Sequence, residues 1–192
     1  MLAIPIIAAM SKNNIPSAGP MRLNQLIPIV FFALGATFSA TGAQAQGVER
    51  LGDFADWSAF KFTEGESVTC FMASEPTKAE GNYSVRGEIH AMVTHRPAED
   101  RIDEVSIQAG YTYQENAPVE IQVGTMKVKL FTQGATAWAV NKETDKKLVQ
   151  AMIKGSTMVV RGTSARGTNT VDTYSLAGFT KAYQSVKKAC GT

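Results

Sequence analysis

From Trp57 to Tyr174, apolar and polar side chains alternate in short runs separated by turn residues. Val68, Cys70 and Met72 fall on one face of a predicted strand, since successive strand side chains point to opposite sides. Val85 to Val93 reads as a second extended run, closed by Arg96-Pro97. Val105 and Ile107 alternate, and so do Val119, Ile121 and Val123 before a turn at Gly124-Thr125. Met126, Val128 and Leu130 follow, with Lys127 and Lys129 on the opposite face. Gln133-Gly134 marks the next turn, and Trp138, Val140, Met158-Val159-Val160 and Thr170 to Leu176 supply the remaining strands. About eight or nine strands with closely spaced turns predict an all-β sandwich or barrel, with an immunoglobulin-like antiparallel β-sandwich as the expected form.

Two segments switch to the helical period. Leu148 pairs with Met152 and Val149 with Ile153, which makes one apolar stripe on a short inserted helix. Asn141 or Thr144 is its expected N-cap, Glu143 and Asp145 suit its positive end, and Lys154-Gly155 closes it. A C-terminal helix follows Gly178. Phe179, Ala182, Tyr183, Val186 and Cys190 share its apolar face, while Lys181, Lys187 and Lys188 face solvent. No repeat or linker divides this stretch, so residues 46–192 read as one domain.

Charge changes the picture at the N-terminal side. All 17 acidic residues lie at Glu49 or later, and the first 45 positions carry only Lys12 and Arg22. Residues 21–45 have the layout of a secretory signal peptide: Arg22, an apolar run from Leu26 to Ala40, and Ala43-Gln44-Ala45 as the cleavage site. The run is shorter than the ~20 residues that span a bilayer, so no transmembrane anchor is expected in the mature chain. Residues 1–20 read as an upstream extension from a miscalled start. The expected location is the periplasm, the outer membrane surface or the exterior. Removing 45 of 192 residues leaves 147, with 17 basic groups (19 minus 2) against 17 acidic ones. That balance argues against a nucleic-acid partner.

The candidate chemistry is sparse. Cys70 and Cys190, the only cysteines, read as a disulfide in an exported chain, with two free thiols as the alternative. His90 and His95 are the only histidines, five positions apart, too few for a zinc site. Gly162-Thr163-Ser164-Ala165-Arg166 nearly matches a nucleophile elbow but has Arg where the last Gly belongs. Glu99, Asp100, Asp103 and Glu104 form an acidic patch without calcium-loop spacing. No catalytic residue, metal or cofactor is therefore expected. The densest polar segment runs from Arg161 to Thr170, and Arg161, Ser164, Arg166 and Thr168 are its candidate interaction residues.

The chain places Trp57, Cys70, Gly110-Tyr111, Ala137-Trp138, Lys154-Gly155, Ser164-Ala165-Arg166-Gly167-Thr168, Tyr174-Ser175-Leu176, Gly178-Phe179 and Cys190 in that order. In this it resembles the invasion-associated locus B family of exported bacterial proteins. The resemblance implies a single β-sandwich domain in the periplasm or envelope. The family name comes from a role in the invasion of host cells by a pathogen. Arg86 and the Ser164–Thr168 segment match the family pattern without an established role. The expected function is non-enzymatic binding of a protein or envelope component, including a host surface. A periplasmic binder of a small molecule or lipid would hold it in a pocket between the sheets lined by Phe131, Trp138 and Met158. A hydrolase would place His90 or His95 beside a Ser or carboxylate in a cleft.

Overall fold

The computed structural model describes residues 47–192, so the predicted leader and upstream extension lie outside the described residues. The alternating segments form β1 (Val48–Phe54), β2 (Trp57–Glu64), β3 (Ser67–Ser74), β4 (Lys78–Gly81), β5 (His90–Arg96) and β6 (Arg101–Gln108). They continue as β7 (Val119–Val123), β8 (Met126–Gln133), β9 (Thr136–Trp138), β10 (Thr157–Thr163) and β11 (Asn169–Ser175). The helices are α1 (Lys142–Lys154) and α2 (Phe179–Cys190). All-β architecture and both helices are as expected, but there are eleven strands rather than eight or nine. The additions β1 and β4 are the two edges of the sheet. Edge strands need no buried alternation, and β4 (Lys-Ala-Glu-Gly) is exposed throughout.

The strand order is β1-β2-β3-β5-β6-β9-β8-β7-β10-β11-β4, and every ladder is antiparallel. Strand β8 belongs to both halves. Its first residues, Met126–Leu130, pair with β7, and its last, Phe131–Gln133, pair with β9. The sheet folds over along β8 into a sandwich-like arrangement of a larger first layer and a smaller second one.

The inward rows follow from the registers. Ala59, Met72, Val93 and Val105 stand side by side in the first layer, and Val128, Ile121 and Val160 in the second. Helix α2 lies on the inner face of the first layer. Phe179 meets the Trp57 ring edge-on at 4.9 Å, and Trp57 donates its indole N–H to Ser175 O at 3.0 Å. Helix α1 closes the side where β6 and β7 part. Leu148, Val149 and Met152 are buried there, and Asn141 caps the helix by accepting from Thr144 N. Gly178 opens α2 at φ 85° and abuts the backbone carbonyl of Phe54, a place no side chain fits.

Cys70 and Cys190 are joined, with Cα atoms 5.9 Å apart, and this ties the end of α2 to β3 across 120 positions. One expected strand segment is absent. Val85 to Ile89 pairs with no strand, and the ladder begins only at His90. Within this segment Arg86 turns its side chain into the interior, and Gly87 N donates to Gly110 O at 2.9 Å.

Candidate functional site

Arg86 is the most deeply engaged polar side chain. Its two terminal nitrogens donate to the two Asp172 carboxylate oxygens at 2.6 Å each, and Nε donates to Ala109 O at 2.7 Å. Both side chains are 3–4% exposed. The guanidinium also lies over the Tyr111 ring at 4.9 Å and the Tyr83 ring at 5.4 Å. Burial alone would lower the Arg86 pKa, but the Asp172 pairing outweighs it and holds the guanidinium above its ordinary value. A planar fork that donates to both carboxylate oxygens is the geometry that makes a buried ion pair tolerable. With three of its five N–H donors bonded inside and both side chains only 3–4% exposed, the pair presents almost no surface to a ligand. It fixes the 85–89 segment across the sandwich.

The second cluster lies beside the disulfide. His95, fully buried on the inner face of β5, is 2.8 Å through Nδ1 from the Thr192 hydroxyl. Its Nε2 comes 3.1 Å from Asp103 Oδ1 but has no aligned hydrogen-bond acceptor, so this is an ion-pair approach rather than a directed bond. Tyr183 of α2 donates to the same Asp103 oxygen at 2.7 Å. Burial raises the Asp103 pKa, but the His95 and Tyr183 contacts outweigh it and leave the carboxyl below its ordinary value. His95 thus stands beside a hydroxyl and a carboxylate, as a hydrolase would require, yet it is sealed from solvent and sits in no cleft. The cluster locks the end of α2 onto β5. His90 lies elsewhere, with Nε2 3.7 Å from Glu88.

The four acidic residues of the 99–104 patch are taken up by separate partners, except that Arg101 is shared between Glu99 at 3.7 Å and Glu104 at 3.0 Å. Glu104 takes Arg96 at 2.6 Å and Arg101 at 3.0 Å, Asp100 takes Lys142, and Asp103 takes Tyr183. The expected pocket lining is also split. Met158 is buried in the core, whereas Phe131 and Trp138 stack at 5.9 Å on the outside of the sheet.

The 161–170 segment is a strand, a tight turn and a returning strand. Ser164 is 8% exposed, and its hydroxyl accepts from Thr168 N at 3.1 Å, so it stitches the turn rather than facing a partner. Thr168 is half-buried, while Arg161 and Arg166 are exposed. Arg161 lies on the outer face of β10, within 3.3 Å of Gln122 and 3.8 Å of Glu120. The structure therefore leaves two arginines of this group on the surface and takes Ser164 inside.

Sequence reasoning missed a different surface. The outer face of the first layer carries Phe60 on β2, Phe71 on β3, Met92 on β5, Trp138 on β9 and Phe131 on β8. Phe60 and Phe71 stack at 5.1 Å, and Phe131 is 48% exposed. Among the described residues no helix or strand covers this face, because α2 and the second layer both lie on the other side. Strands β2 and β3 carried the signal. In Trp57-Ser58-Ala59-Phe60-Lys61-Phe62 and Cys70-Phe71-Met72-Ala73 both parities are apolar, which a strand with one solvated face does not need.

The family model described as invasion associated locus B (IalB) protein matches residues 57–187. The chain belongs to this family. The locus B match opens on Trp57 at the start of β2 and closes on Lys187 in α2, so it takes in Arg86, Asp172, His95 and the whole aromatic face. No curated protein and no solved structure matches the chain.

Proposed function

We propose that this locus B protein is exported and works without catalysis, by gripping a component of the envelope or of a host surface through the outer aromatic face of its first layer. The observation that supports this reading is the set Phe60, Phe71, Met92, Trp138 and Phe131 on one outer sheet face, the first two in a cross-strand row with Thr94 and Glu104 and the last three in the adjacent row with Ala73 and Ser106. Solvated sheet faces are usually polar, and contiguous apolar patches of a few hundred Å² commonly mark contact sites. The disulfide is compatible with an oxidising compartment, and among the described residues no helix is long and apolar enough to cross a membrane. A part in host-cell invasion, which gives the family its name, would be one use of such a grip.

The test compares two paired variants in producing cells. Phe71→Ser with Trp138→Ser removes the aromatic row, while Arg161→Ala with Arg166→Ala removes the exposed arginines of the 161–170 segment. Cross-linking in intact cells, followed by separation of envelope from soluble protein, reads retention. The aromatic pair is expected to lose its cross-links and move to the soluble fraction. Equal retention of both variants would overturn the proposal, provided circular dichroism shows both folded.

A further inference from the structure

The outer face of the sheet has cations as well as rings. Lys127 and Lys129 precede Phe131 on the same side of β8, one strand-repeat apart. Arg50 lies over the Phe60 ring at 5.5 Å, and Arg96 and Arg101 both reach the single carboxylate of Glu104. Glu120 is shared between Lys127 at 3.4 Å and Arg161 at 3.8 Å. Along the strands from β1 to β8, five cations (Arg50, Arg96, Arg101, Lys127, Lys129) stand with four acids (Asp53, Glu99, Glu104, Glu120). The face is thus apolar along its middle, with Lys127 and Lys129 set against the single acid Glu120 at its β8 end.

Size argues against a second copy of the chain as the occupant. The aromatic row crosses five inter-strand steps, roughly 24 Å, and is about 14 Å deep along the strands. That area, on the order of 300 Å², is well below the ~800 Å² per partner of a stable protein interface. Two exposed apolar side chains stand at one end of this face, while Val85, the most exposed at 87%, lies in the 85–89 segment. Phe131 is 48% exposed and Val140 61%, next to the Trp138 indole. Aromatic rings at the level of headgroups, with lysines beside them, are what a membrane interface selects.

We propose that this face docks on a bilayer carrying anionic headgroups, with Phe131, Trp138 and Val140 entering the interface and Lys127 and Lys129 meeting the phosphates. The inference rests on the proposed gripping role of the aromatic face and names its partner as lipid.

The test uses the protein purified from the envelope of producing cells and two kinds of vesicle, one of phosphatidylglycerol with phosphatidylethanolamine and one of phosphatidylcholine alone. Trp57 and Trp138 are the only tryptophans, and Trp57 is fully buried, so interfacial fluorescence reports on Trp138. The protein should sediment with the anionic vesicles and not with the neutral ones. Its emission should shift to the blue and be quenched by lipids brominated on the acyl chain. Trp138→Phe should abolish the shift. Lys127→Gln with Lys129→Gln should weaken sedimentation roughly 30-fold, and raised salt should do the same. No binding to anionic vesicles, or binding without Trp138 quenching, would overturn the proposal. If vesicles fail while envelope retention in cells still depends on Phe71 and Trp138, the partner is a protein and the grip stands. A face-dependent dimer in light scattering would instead make the occupant a second copy. If retention is also indifferent to the face, the gripping role itself falls.

Discussion

Along β8, Lys127 and Lys129 face outward opposite Gln122 and Glu120, and two residues further on Phe131 faces outward opposite Trp138. One strand therefore crosses from a charged outer surface to an aromatic one without changing its backbone geometry. On the second layer, Glu120 is flanked across strands by Lys127 and Arg161, and Lys78 pairs along β4 with Glu80 at 2.8 Å, so charges answer each other. On the first layer, rings answer rings: Phe60 on Phe71 and Phe131 on Trp138. The charged surface is adequately solvated by water alone. The aromatic surface leaves apolar area in water, at a cost of about 25 cal/mol per Å², which docking would recover. Both surfaces stand on the same interior, so variants of the interior should damage them together and variants of each surface should separate them.

The largest effect is expected from Arg86→Met, which leaves Asp172 buried without its partner. It should lower stability by about 3–5 kcal/mol in urea denaturation, and both outer faces should be lost together. A cost below about 1 kcal/mol would mean the pair does not join the layers. Next comes Cys190→Ser. Loss of the bond should cost about 2–5 kcal/mol, and hydrogen exchange should rise first in α2 and around His95 while the aromatic row stays protected. Uniform exchange over the whole chain would contradict a local clasp.

Asp145 supplies a pH dependence. It sits in the first turn of α1, is 8% exposed, and accepts from Val105 N at 2.8 Å. Burial, with help from Glu104 and Asp103 and against the Val105 bond, raises its carboxyl from 3.8 to about 6. The folded state therefore binds this proton more tightly than the unfolded chain. The cost of ionising it is absent below about 3.8, grows as pH rises, and is complete above about 6. Asp145→Asn should flatten that decline in stability between those limits, measured by thermal unfolding across pH. A slope unchanged in the variant would assign the effect elsewhere. The smallest effect belongs to the charged face. Glu120→Gln should change stability by less than about 0.5 kcal/mol, because its ion pairs are solvent-exposed, and should leave envelope retention intact.

Much of this architecture was legible because burial imposes a period. Val119, Ile121 and Val123, and the i,i+4 pairs of α1, could hardly have been read otherwise. Asn141 and Gly155 bounded α1 because caps have their own residue preferences. Strands β1 and β4 were hidden because an edge is defined by its neighbour and not by its own alternation. The Val85–Ile89 segment misled for the opposite reason. It alternates like a strand, but the partner that governs Arg86 is Asp172, 86 positions away. Ser164 looked like a surface residue because turn chemistry and ligand chemistry use the same side chains. The outer apolar face was written in β2 and β3 as strands apolar on both parities, yet only the registers show that five such residues from five strands share one face in two adjacent cross-strand rows.

The central claim is that the aromatic face, and not the exposed arginines of the 161–170 segment, holds the protein to its partner. The direct measurement is the fraction of protein retained with the envelope after gentle lysis, for Phe71→Ser with Trp138→Ser against Arg161→Ala with Arg166→Ala. The account predicts that the aromatic pair is released while the arginine pair stays with the envelope like the wild type. Release of the arginine pair with retention of the aromatic pair would contradict it.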